Sequence, residues 1–171
     1  MNAKEKQKEI LKSYLKPTLK KNGFLTSGNT WWRDKGEFFD VVDHQNSSGN
    51  SKDKLSFCLN IGPALKSYLR YSRTNKISHF DVVAHLREPS FISEARCKLP
   101  HHSGWLGYLI DDSTILNDFI AELAVDMEQE ILPTLDRLKT LDDWLDFLKE
   151  GNFSHEFLAR VIKENPSIEN N

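Results

Sequence analysis

Apolar and polar positions alternate cleanly at one place in this chain. Leu55, Phe57, Leu59 and Ile61 are separated by Ser56, Cys58 and Asn60, the period of a strand with one buried face. Residues 38–43 are less regular. Their doublets also fit a helix face, but the β-branched and aromatic content over so short a run favours a strand. Residues 46–53 between them hold only turn and flexible residue types. The pattern predicts two adjacent antiparallel strands joined by a polar tether, with the rest of the chain built around them.

Upstream, residues 4–21 show helical spacing. Ile10, Tyr14 and Thr18 form one row, Leu11, Leu15 and Leu19 the next, and Lys8, Lys12, Lys16 and Lys20 the wet side. Pro17 predicts a kink or a fresh turn, and Asn22-Gly23 a stop. Phe24-Leu25 is expected to enter the core and residues 30–33 to form a short strand, so that 24–62 hold three or four antiparallel strands. One of Trp31 and Trp32 faces inward and the other outward, as an exposed contact or under a C-terminal helix. Downstream of Pro63, residues 64–71 and 80–86 read as helical segments. Residues 91–99 and 105–110 read as strands. The C-terminal third is helical. Asp112 or Ser113 would cap a helix carrying Phe119, Leu123, Met127 and Ile131, with Pro133 breaking it. A shorter helix around Trp144 ends at Gly151, and Ser154 would cap a last one.

The expected class is therefore α+β: an antiparallel sheet of about five strands with N-terminal and C-terminal helices packed on it. The 171 residues fit a single domain, 1–171. It divides into a helix-plus-sheet region (1–110), an acidic helical extension (111–164) and a frayed tail (165–171). No apolar run approaches the ~20 residues of a membrane helix, and the N-terminus lacks the apolar stretch of a signal peptide. These features point to a cytoplasmic protein with no membrane partner, whose Cys58 and Cys97 are reduced, free thiols.

Charge changes the picture more than composition does. The net charge is −2, yet residues 111–171 carry 5 Lys/Arg against 15 Asp/Glu. Asp118, Glu122, Asp126 and Glu130 recur at i+4 on the main acidic helix, and Asp142, Asp143 and Asp146 add a second group. Side by side, the two groups would present a negative surface to a basic protein. That makes a small binding or interaction protein, more a binder than an enzyme, the leading functional reading.

The alternative is an enzyme or ligand-binding domain with a pocket between sheet and helices near His44, Asn60 and His102. A third reading is phosphate or nucleic-acid binding through residues 66–76, where Lys66, Arg70, Arg73 and Lys76 interleave with Tyr68 and Tyr71. The negative net charge and the absence of a nucleic-acid motif keep it third. His101-His102 lacks metal-ligand spacing, and no HExxH or CxxC occurs. Asp40, Asp43 and His44, with Asp111-Asp112, supply carboxylates and an imidazole but no nucleophile elbow or Gly-rich phosphate loop. No metal, cofactor or catalytic residue is expected.

Several short motifs occur in a telling order: Leu15-Lys-Pro-Thr-Leu19, Gly23-Phe24, Gly28-Asn-Thr-Trp31, Val41-Val42 through Gln45-Asn-Ser, and Phe57-Cys-Leu-Asn-Ile-Gly62. Over about residues 10–110 the chain resembles the bacterial family called domain of unknown function 4304. The aromatic ending of that domain corresponds to Gly104-Trp105. The resemblance implies a small cytosolic protein and no particular activity. The acidic helical stretch after Asp111 reads as a departure from it.

Overall fold

The computed structural model describes residues 1–70 and 76–166. Its chain divides into two compact units. The first comprises Met1–Gly23, His44–Leu59 and Arg87–Thr134; the second comprises Phe24–Asp43, Asn60–Leu86 and the chain from Leu135 onward. A sheet of six strands runs in the order β1 (Leu25–Ser27), β2 (Thr30–Asp34), β3 (Phe38–Asn46), β4 (Lys54–Leu65) and β5 (Leu86–Arg87), with β6 (Tyr108–Asp111) also paired to β4. The class is α+β, as the pattern predicts.

In the first unit, α1 (Ala3–Ile10) opens on a capping box: Asn2 accepts from the Glu5 N–H and Glu5 returns the bond. The helix widens at Leu11–Leu15 into a π-helical turn and resumes as α2 (Lys16–Lys21). Pro17 explains the widening. It supplies no N–H, and its ring would collide with a carbonyl one turn back. The Lys16 N–H instead reaches the Leu11 carbonyl, five residues earlier. The device recurs in the acidic stretch. α4 (Leu116–Val125) widens at Asp126–Ile131, two residues short of Pro133, and resumes as α5 (Leu132–Arg137). Tyr14 in the first π turn donates to Glu128 in the second at 3.1 Å. α1 packs on β6 and α4, and β6 pairs antiparallel with β4, Phe57 opposite Tyr108. Phe57, Tyr108 and Phe119 join their rings in the core.

In the second unit, β1, β2 and β3 form an antiparallel meander, Trp31 opposite Val42 and Trp32 opposite Val41. Both tryptophans are buried, so the outward-facing one is covered and is not an exposed contact residue. Trp32 joins a core of Val41, Ala64, Ile77 and Val82. Thr140 caps α6 (Leu141–Glu150) in a second capping box with Asp143, and α6 packs on α7 (Glu156–Glu164).

Other expectations yield as well. Residues 64–65 do not start a helix; they extend β4. A Cβ on Gly62 would run into the Ala84 carbonyl, and Val83 N–H donates to the Pro63 carbonyl at 3.0 Å. The strand therefore continues because a neighbouring backbone lies against it. A single 3-10 turn, Lys66–Tyr68, follows. Residues 80–86 hold only the end of another, His79–Asp81. Residues 91–99 are not a strand: they carry the short α3 (Glu94–Cys97). The α4 N-cap is Ile115, without a side-chain bond, while Asp111 closes the preceding turn by accepting from Ser113 and Thr114. The α7 N-cap is His155 rather than Ser154. Among the described residues, no helix is long and apolar enough to cross a membrane.

Candidate functional site

The first unit holds the main concentration of buried polar groups, and its centre is Asp126. This side chain is fully buried. Arg96 Nε donates to Oδ1 at 2.6 Å, Tyr108 OH donates to Oδ2 at 3.0 Å, and His101 Nε2 stands 3.5 Å from the same oxygen. Arg96 extends the network, pairing through Nη1 with the Glu122 carboxylate and donating through Nη2 to the Glu122 carbonyl, both at 2.7 Å. Burial alone would raise the Asp126 carboxyl, but His101, Arg96 and Tyr108 together outweigh it and hold the group below its ordinary range. Tyr108, desolvated and facing that carboxylate, is pushed well above its usual value.

A second buried pair lies nearby in sequence. His102 Nε2 is 3.1 Å from Glu88 Oε1, and Glu88 Oε2 accepts the Leu59 N–H at 2.7 Å. His102 Nδ1 has no partner among the described residues. A neutral ring carrying its proton on Nε2 fits both facts, since a proton on Nδ1 would be an orphaned buried donor. His44 is buried too. Its Nε2 lies 3.2 Å from the Gln7 amide nitrogen, and its ring rests 4.8 Å from Phe57. His44 and His102 therefore serve the core of the first unit rather than line an open pocket. Asn60, half-buried, belongs to the second unit.

Beside the network opens a cleft of 610 Å³, within the range of small-ligand sites. Leu99, Pro100, Leu109, Ile115 and Phe119 supply its apolar wall. Its titratable groups are Lys54, His101, Asp111, Asp118 and Glu122. His101 is the member shared with the Asp126 network. Asp126 is already neutralised by Arg96 and lies at the edge of hydrogen-bonding distance from the imidazole, which gives little drive for base catalysis. Cys97, raised first by burial and then by Glu88, Asp126 and other carboxylates, stays a thiol. Both cysteines are free. No group of three or more His, Cys, Asp or Glu among the described residues could hold a metal ion.

The acidic row is rearranged by this packing. Asp118 stays exposed. Glu122 is tied to Arg96, and Glu130 accepts from the Ser93 N–H and hydroxyl. Asp126 is inside, so the reading of one solvated row is corrected: Arg96 and Tyr108 receive its carboxylate in the core. In the second unit, Asp142 and Asp146 are exposed, and Asp143 is occupied as the returning residue of the Thr140 capping box, accepting from the Lys139 and Thr140 N–H groups at 2.8 Å. Among the described residues, Lys66, Arg70 and Lys76 of the basic cluster share no α-helix. Lys66 pairs with both Asp34 oxygens at 2.8 Å and lies over Phe39, Arg70 stacks on Tyr68, and Lys76 is exposed. Arg73 and Tyr71 lie outside the described residues.

Sequence reasoning missed Arg96, Tyr108 and Glu88. One signal was present: Asp126 precedes Met127 in an apolar stretch with Pro133 about two turns ahead, where a regular wet face is not expected to persist. No curated protein and no solved structure matches this chain. A family model does, over residues 15–137. That match passes Asp111 and takes in α4, the second π turn and α5, so the stretch that reads as a departure is in large part inside it. The chain belongs to the family described as Domain of unknown function (DUF4304).

Proposed function

We propose that this is a cytoplasmic binding module, not an enzyme, and that its first-unit cleft takes a cationic, partly apolar segment of a basic protein. One observation carries the reading: Asp118 and Glu122 stand with Asp111 at the rim of a cleft whose wall is apolar. With Glu122 paired to Arg96, Asp111 and Asp118 against Lys54 leave the mouth mildly acidic. Ile115, 65% exposed at that mouth, offers apolar contact without any cost of uncovering it. A lysine or arginine side chain matches both features, its stem on the apolar wall and its charge among the carboxylates. The exposed Asp142 and Asp146 of the second unit are not needed for this reading.

The test is calorimetric titration with an unstructured peptide alternating lysine and leucine, and with its glutamate–leucine counterpart. The basic peptide should bind saturably and more weakly as salt is added. The double variant Asp118→Asn/Ile115→Gln should lose about tenfold in affinity, the equivalent of ~1.4 kcal/mol. Equal binding of the two peptides, or by wild type and variant at low and high salt, would remove the reading.

A further inference from the structure

We propose a second ligand site in the first unit, specific for a small organic anion with a flat or apolar body. It lies in a separate cleft of 340 Å³. Residues 45–48 at the end of β3 and the turn residues Trp105 and Leu106, far apart in sequence, both line it.

Arg87 supplies the charge. Its Nη1 donates to the Trp105 carbonyl at 2.5 Å, which holds the guanidinium beside the turn that shares the cleft lining with it. Nε and Nη2 have no partner among the described residues. No Asp or Glu of the described residues lines the cleft. That absence matters in a chain with more acidic than basic residues, and an arginine left with open donors at a concave site is suited to a carboxylate or phosphate. The opposite wall adds neutral donors. Asn46 uses its carbonyl to accept from Gln7 at 2.6 Å, which turns its amide NH2 elsewhere, and the Ser47 and Ser48 hydroxyls stand beside it.

Trp105 and Leu106 supply the body contact. They are 67% and 63% exposed, although apolar side chains of this size are ordinarily covered. Their exposure is built in. Leu106 N–H donates to Ser103, and Ser103 N–H donates to Gly107, at 3.0 and 2.9 Å. Gly107 itself sits at φ +78°, where a Cβ would strike the Phe57 carbonyl. The turn is thus fixed against β4 by a position that only glycine tolerates, and its indole is held out over the cleft. A flat ring on Trp105 with its anionic group on Arg87 uses every feature described.

The experiment follows the Trp105 indole resonance, assigned by its loss in Trp105→Phe, during titration with benzoate, adenosine 5′-monophosphate and the neutral benzamide. Saturable shifts with benzoate or the nucleotide, at least about tenfold tighter than with benzamide, are expected; which anion wins separates a carboxylate from a phosphate ligand. Arg87→Gln should abolish the preference over benzamide, and Arg87→Lys, which keeps the charge, should retain part of it. The proposal is overturned by no saturable shift with either anion, by benzamide binding as well as benzoate, or by a folded Arg87→Gln that still prefers the anion.

Discussion

Asp126 in the first unit and Asp40 in the second are both fully buried, and both have an arginine alongside. Their carboxyls move in opposite directions. At Asp126 both oxygens are used, Oδ1 by Arg96 and Oδ2 by Tyr108 and His101, and the group stays below its usual range. At Asp40 the cations crowd one oxygen: Arg33 reaches Oδ2 at 2.8 Å and Lys35 at 3.8 Å. Oδ1 has no partner among the described residues, and Arg33 is shared with Asp136. Desolvation prevails over Arg33 and Lys35 there, and the pKa rises from 3.8 to about 6. Having a cation nearby is thus not enough to set a buried carboxylate: three partners outweigh desolvation at Asp126, and Arg33 and Lys35 do not at Asp40.

The largest expected effect comes from breaking the satisfied site. Asp126→Leu strands Arg96 and the Tyr108 hydroxyl, and should cost about 3–5 kcal/mol in urea denaturation. A loss under about 1 kcal/mol would mean the network is not the structural centre of the first unit. The pH response should then separate the two sites. Asp40 binds a proton more tightly folded than unfolded between its values of 3.8 and about 6, so its ionisation as pH rises through that window destabilises the fold. Asp126, depressed, contributes stability that is complete above the ordinary carboxylate range and lost as pH falls through its lower folded value. Relative to wild type, Asp40→Asn should therefore fare better at pH 7 than at pH 4, by up to about 3 kcal/mol. Identical relative stability at the two pH values would contradict the Asp40 assignment.

Tyr108→Phe sharpens the comparison by removing one bond from Asp126 and nothing else. It should cost about 1–2 kcal/mol, measurable as a shifted denaturation midpoint at unchanged slope. The smallest effect belongs to Lys98→Ala, which removes an exposed pair with Glu94. Less than about 0.5 kcal/mol is expected, and a loss as large as that of Tyr108→Phe would mean that pairing alone, without burial, carries the energy.

Phe57, Leu59 and Ile61 are buried on β4 as their alternation requires, and the N-terminal and C-terminal helices stand where their apolar rows place them. These features were legible because a two-residue or 3.6-residue period is a property of neighbours in sequence. The π turns were half legible: Pro17 and Pro133 announce a disturbance, but whether the helix kinks or widens depends on what packs against it. The candidate sites were the least legible. Asp126 sits at i+4 from Glu122 and Glu130 and reads as one of a wet row, yet its partners Arg96 and Tyr108 lie 30 and 18 residues away.

By itself, then, the sequence determined the opening strand pair, the terminal helices, the α+β class and the order of motifs that place the chain in its family, because each depends on local spacing. Tertiary structure alone decided which charges are buried and which are offered. It took Asp126, His44 and His102 into the core, left Asp118 and Arg87 at clefts, and carried β4 through Gly62 past its expected end. The physical reason is that a polar side chain is stable inside only when partners from elsewhere in the chain satisfy it, and no local pattern specifies where those partners arrive.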